Sequence, residues 1–110
     1  MKENNLIIVL VTVADKSEAK SISSHIVEKR LAACSNIIPN INSIYHWENK
    51  IEDSSECLLI FKTIGELFPE LEKEIKRIHS YKVPEIIAIS ASRVFEPYLN
   101  WVIDETKEQI

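Results

Sequence analysis

The sequence predicts an α+β fold: one antiparallel sheet whose two long helices lie together on a single face. Three observations lead to it. Residues 6–11, 57–61 and 86–89 are apolar runs without alternation. Successive strand side chains point to opposite faces, so each run requires both of its faces to be covered. Only two long amphipathic segments and one short terminal segment read as helices, enough for one face of a small sheet. The elements follow in the order strand, helix, strand, strand, helix, strand, helix. The second apolar face then calls for another copy of the chain, in a dimer or a trimer.

Residues 6–13 form the first strand. Asp15 with Glu18 three positions later has the spacing of a capping box and starts a helix. Its apolar positions are Ala19, Ile22, Ile26 and Leu31, with Lys29 and Arg30 placed where cations favour a helix C-terminus. Residues 34–47 are expected as a long, irregular strand segment in which Pro39, unable to donate to a ladder, marks an edge, a bulge or a bend. Strand character resumes over residues 41–47, and Glu48-Asn49 reads as a tight turn because Asn tolerates positive φ. Residues 50–52 and 56–62 return, making a long hairpin that projects past the body of the domain.

Thr63 and Glu66 again have capping-box spacing, with Gly65 between them. Leu67, Phe68, Leu71, Ile75 and Ile78 then make a helical stripe. Pro84 keeps Val83 extended, and a fourth strand runs from Ile86 to about Ser92. Pro97 suits the first turn of a last helix with Leu99, Val102 and Ile103 on its apolar side. This order is the ferredoxin-like split βαβ plan, βαββαβ plus a C-terminal helix.

The 110 residues, 27% charged and 45% apolar, suit one domain spanning 1–110. A net charge of −4 argues against non-specific nucleic-acid binding, which needs a basic surface. No stretch approaches the roughly 20 apolar residues of a membrane span. The polar start, Met1-Lys2-Glu3-Asn4-Asn5, carries no cleavage signal, so a cytoplasmic location is expected, with Cys34 and Cys57 reduced.

One glycine excludes a Gly-rich phosphate loop, and neither CxxC, HExxH nor a nucleophile elbow occurs. His79 follows the second helix and reads either as a transition-metal ligand or as a histidine bonding the last helix carbonyls. Cys34 reads as a thiolate donor or as a small buried hydrophobe, while Cys57 reads as packing and His25 and His46 as surface. Tyr45, Trp47 and Tyr81 are polar-tipped aromatics near strand ends, suited to a pocket or an interface. Lys62 ends one apolar strand and Glu85 begins another, so the two suit an ion pair or opposite charges in a pocket.

Several stretches, in order along nearly the whole chain, resemble the CutA family of divalent-cation tolerance proteins. They are Val11-Thr12-Val13-Ala14-Asp15, Glu28-Lys29-Arg30-Leu31-Ala32-Ala33-Cys34-Ser35-Asn36 and Ser43-Ile44-Tyr45-His46-Trp47-Glu48-Asn49-Lys50-Ile51-Glu52. Leu59-Ile60-Phe61-Lys62-Thr63, His79-Ser80-Tyr81-Lys82-Val83-Pro84-Glu85-Ile86-Ile87 and Tyr98-Leu99-Asn100-Trp101 complete the set. The resemblance implies a ferredoxin-like subunit in a homotrimer joined by long hairpins, a role in copper or divalent-metal tolerance, and no catalytic activity. Some family members place Cys where Val11 stands and His where Ile78 stands, positions associated with copper, so that of this set only His79 remains here. Asn49 stands for the family's usual Gly at the hairpin tip, and Ser80 for a Pro.

Two expectations follow. In the first, Cu2+ or another divalent metal, not an obligatory cofactor, is held by His79, with Cys34 as thiolate and Glu85 as oxygen donor or supporting partner. In the second, a regulatory or small-ligand module binds in an inter-subunit cleft lined by Trp47, Lys62, Tyr81 and Glu85.

Overall fold

The computed structural model describes residues 5–106. Residues 1–4, which carry most of the polar start discussed above, lie outside the described residues. Strand β1 (Leu6–Val13), helix α1 (Lys16–Glu28), strands β2 (Cys34–Trp47) and β3 (Lys50–Ile64), helix α2 (Phe68–Ile78), strand β4 (Ile86–Ser90) and helix α3 (Glu96–Glu105) follow one another, with a 3-10 turn at Gly65–Leu67 before α2. The strands form one antiparallel sheet in the order β2-β3-β1-β4. This is the α+β, split βαβ arrangement that the element order predicts.

The sheet order explains the missing alternation. β1 is central, paired with β3 on one side and β4 on the other. Its odd residues Val9, Val11 and Val13 are fully buried with Leu59 and Phe61 of β3. Ile22 and Ile26 of α1 and Leu71 and Ile75 of α2 close over them. Each such side chain contributes roughly 1.5–3 kcal/mol on leaving water, before the cost of ordering it. The even residues face the other way, where Leu99 and Val102 of α3 cover only Leu6 and its neighbours Ile8 and Ile64. Ile38, Ile87 and Ile89 on that face stay 42–49% exposed. One chain therefore leaves its second sheet face partly open.

Several boundaries differ from expectation, each for a local reason. Asp15 Oδ1 accepts the Glu18 N–H at 2.8 Å, but the Glu18 carboxylate reaches back to the Ala14 N–H rather than to Asp15. Helix α1 ends at Glu28, short of Leu31. Arg30 takes φ 60°, and the N–H groups of Arg30 and Leu31 close on Val27 and Ile26 carbonyls, a Schellman ending. Leu31 thus packs at helical spacing from outside the helix, 5% exposed. Thr63 is not the cap of α2. It is still in β3, fully buried, and its hydroxyl donates to the Leu31 carbonyl at 2.8 Å. β4 ends at Ser90, two residues early, although Ala91 N–H still reaches the Leu6 carbonyl.

β2 is one strand rather than an irregular segment, and its single register shift falls between Ile38 and Ile41. β2 is the edge strand, so the missing donor of Pro39 is tolerated there. Asn40 takes φ 61°, and the extra residue reverses which positions of β2 share a face with β3. Beyond it Ile41, Ser43 and Tyr45 stand opposite Glu56, Ser54 and Glu52. The bulge therefore turns Tyr45 and Trp47 toward the same side as the open apolar face. At the tip both Glu48 (φ 51°) and Asn49 (φ 65°) are left-handed, as a two-residue hairpin turn of type I′ requires. The hairpin draws the molecule out to 50 Å by 27 Å by 21 Å. Among the described residues no helix is long and apolar enough to cross a membrane.

α1 and α2 are tied by Glu74, which accepts from His25 Nε2 and from Arg77, each at 2.5 Å. His25 is thus half-buried in a bridge rather than free on the surface. The hydrogen bonds from Arg77 and His25 pull the Glu74 carboxyl from 4.5 down to about 2. A depressed folded value means that the contribution is complete above about 4.5 and is lost as pH falls toward about 2. Glu74→Gln is expected to flatten the acid limb of stability against pH in that window, read by chemical denaturation at several pH values. An unchanged slope would remove Glu74 from the acid response.

Candidate functional site

The connection from α2 to β4 crosses the C-terminal end of β1 and is pinned there by side chains. His79 is the C-cap of α2, with its side chain fully enclosed. Its Nε2–H donates to the Thr12 carbonyl at 2.8 Å, and its Nδ1 accepts the Tyr81 N–H at 3.0 Å. Those partners assign the neutral Nε2–H tautomer. The Tyr81 ring lies 4.8 Å from the imidazole, tilted by 45°. Glu18, already at the start of α1, accepts the Ser80 N–H at 2.7 Å and the Ser80 hydroxyl at 2.9 Å, and its Oε2 stands 3.6 Å from His79 Nδ1. The Tyr81 hydroxyl donates to Glu56 Oε2 at 2.5 Å. Burial, then the hydrogen bond and charge of Glu56, push the Tyr81 phenol well above its ordinary value, so it remains a donor.

Between this pinned connection and the projecting hairpin lies a cleft of about 810 Å³. Tyr45 and Trp47 of β2 and Glu52 and Glu56 of β3 form one wall. Tyr81, Lys82, Val83 and Glu85 form the other, and Thr12 lies between them. Three carboxylates thus face one ammonium, with polar-tipped aromatics beside them. Glu56 is only 6% exposed although its side chain ends in a carboxyl group. Its Oε2 holds Tyr81, and among the described residues its Oε1 has no hydrogen-bond partner.

Trp47, Tyr81 and Glu85, named from the sequence, come together in this cleft. Lys62 does not. It pairs with Cys34 in the β2–β3 register, its Nζ donates to Asn36 Oδ1, and it makes no ion pair with Glu85. The expected metal set is not assembled within one chain either. Cys34 shares a row across the sheet with Lys62 and Ile8, whereas His79 stands at Thr12, about 13 Å further along β1. Cys34 Sγ lies 3.8 Å from the Tyr98 hydroxyl of α3, and burial together with that contact pushes the Tyr98 phenol up to about 12. Both His79 nitrogens are occupied, so neither offers a lone pair without breaking a buried hydrogen bond. Among the described residues no three His, Cys, Asp or Glu side chains are placed to hold a metal ion. Cys57 is buried on the opposite face from Cys34, and both thiols are free.

Glu18 and Glu56 are the residues that sequence reasoning missed. The signal for Glu56 was available: it is a charge one position before the apolar run of β3, in phase with Leu58 and Ile60. Tyr45, read from the sequence as a pocket or interface aromatic, does line the cleft, on a face that the bulge at Pro39 and Asn40 sets.

The model of the family described as CutA1 divalent ion tolerance protein matches residues 7–105 of the chain. A divalent-cation tolerance protein CutA of Thermus thermophilus is 40% identical over 90% of this chain and 96% of its own length. Protein CutA of Mus musculus is 45% identical over 88% of this chain, which spans only 55% of that relative's length. The crystal structure of CutA1 from Oryza sativa superposes with a TM-score of 0.92 at 40% identity, covering 94% of this chain and 95% of that one. That of divalent ion tolerance protein CutA1 from Ehrlichia chaffeensis gives 0.91 at 34% identity, covering 97% of this chain and 100% of that one.

Proposed function

Because the chain belongs to the CutA1 divalent ion tolerance protein family, we propose that it serves divalent-cation tolerance as a cytoplasmic, homotrimeric binding protein rather than as an enzyme. The observation that carries this reading is the cleft, in which three carboxylates, one of them the buried Glu56, outnumber one ammonium. A divalent cation that keeps part of its water shell needs only one or two carboxylates from the protein. Glu56 and Glu85 supply them from opposite walls. The trimer is supported by the half-exposed Ile38, Ile87 and Ile89, which another copy would cover.

Native mass spectrometry of the metal-free protein, then with stoichiometric copper, tests both parts. The expected result is a trimer that takes up copper in a fixed ratio. The double variant Glu56→Gln, Glu85→Gln is expected to lose at least about tenfold in affinity, about 1.4 kcal/mol. A trimer whose copper uptake survives the double variant would move the metal out of the cleft.

A further inference from the structure

His79 pins its connection through a group that can change charge. Its side chain is fully enclosed, and that of Glu18 beside it is 15% exposed. The Nε2–H is committed to the Thr12 carbonyl, so a proton gained by the ring goes to Nδ1. Two groups of opposite demand face that atom. The Tyr81 N–H donates to it at 3.0 Å and needs its lone pair. Glu18 Oε2 stands 3.6 Å away and can only accept. Three donors already fix the Glu18 carboxylate in place: the Ser80 N–H on Oε2, and the Ser80 hydroxyl and the Ala14 N–H on Oε1. A carboxylate has about four lone-pair sites, so one is left for a further donor. Around the ring, α1 presents Glu18, β1 the Thr12 carbonyl, and the ring's own connection Tyr81, on which Glu56 and Tyr45 of the hairpin act in turn.

From this arrangement we propose that residues 79–81 form a proton-operated latch: a proton taken up at His79 Nδ1 exchanges the Tyr81 N–H for Glu18 Oε2 and releases the Tyr81 backbone from the imidazole. The neutral ring accepts from Tyr81 and holds the connection against β1. In the charged ring two N–H donors would meet at 3.0 Å and repel, while Glu18 gains an enclosed, charge-assisted hydrogen bond. The Tyr81 hydroxyl is bonded to Glu56, so release of the Tyr81 backbone is transmitted to the lining of the cleft. The latch lies within one subunit and does not depend on what the cleft holds.

The test is nitrogen and amide NMR of the full chain from about pH 8 to about pH 5, the range in which imidazoles ordinarily change charge. At the upper end the His79 ring is expected to show a protonated Nε2 and a bare Nδ1. On acidification Nδ1 should gain its proton, and the Tyr81 amide signal should move with the same midpoint. Glu18→Gln keeps an acceptor for Ser80 but removes the charge, and it is expected to lower that midpoint by at least about one pH unit, a tenfold loss of proton affinity. His79→Gln identifies the ring signals and should leave the Tyr81 amide insensitive to pH. A ring that stays neutral to pH 5, a Tyr81 amide that does not follow the ring, or a midpoint unmoved by Glu18→Gln overturns the proposal. The parent chain and Glu18→Gln decide the question even where His79→Gln fails to fold.

Discussion

His79→Ala is expected to lower the unfolding free energy by about 3 kcal/mol and to leave copper uptake unchanged. The side chain is fully enclosed, so truncation removes its packing. It also strands two polar groups, the Thr12 carbonyl and the Tyr81 N–H, each costing about 1–3 kcal/mol when buried without a partner. His79→Gln is expected to recover part of the loss, because its amide N–H can reach toward the Thr12 carbonyl. Urea denaturation at fixed protein concentration gives the first quantity, and a copper titration of both variants gives the second. A variant that keeps its stability but no longer binds copper would make His79 a metal ligand. The structure instead gives the imidazole the work of holding residues 79–81 against β1, which sets Tyr81 in the lining of the cleft.

Ile87→Glu is expected to convert the proposed trimer to a monomer. Within one chain Ile87 is 49% exposed, so the substitution disturbs little of the subunit's own core. Its neighbours on that face are Leu10, its partner on β1, and Ile60, the partner of Leu10 on β3. In a threefold assembly the buried carboxylate appears three times, each desolvated and unpaired at a cost of several kcal/mol. Sedimentation should show the mass falling to that of the 12.7 kDa chain, while Ile87→Ala stays assembled. A glutamate variant that remains a trimer would place the interface elsewhere, on the sheet edges or the hairpin. A parent protein that is itself monomeric would undo the argument from the doubly apolar strands.

The fold was legible because its strongest signals are local and repeated. Eight apolar or β-branched residues at 6–13, the stripe through Leu71 and Ile75, and Asp15 before α1 each specify an element within a few residues. The errors fell where two local signals compete. Thr63 and Glu66 have the spacing of a cap, but β1 pairs with β3 as far as Ile64 and holds Thr63 in the strand. Leu31 has helical spacing, but the left-handed Arg30 puts it in a Schellman contact instead. The candidate site was legible only in part. Trp47, Tyr81 and Glu85 were found as polar groups near strand ends, and they meet in the cleft. Lys62 answered the same description, yet it lies further along β3 than Glu56, beside Cys34.

The sequence by itself determined the element order, the α+β class, the family and the surplus of apolar strand surface, since these depend on periodicity and residue type along the chain. Only the tertiary structure decided which polar residues share a site. Three contacts that no periodicity encodes set that outcome. A one-residue bulge reverses the face of Tyr45 and Trp47. Glu18 reaches across 62 residues to Ser80. His79 spends both ring nitrogens on the backbone of β1 and of its own loop. Local patterning specifies which surface is buried, but the register of distant strands and the partners of each polar atom are fixed only when the sheet closes.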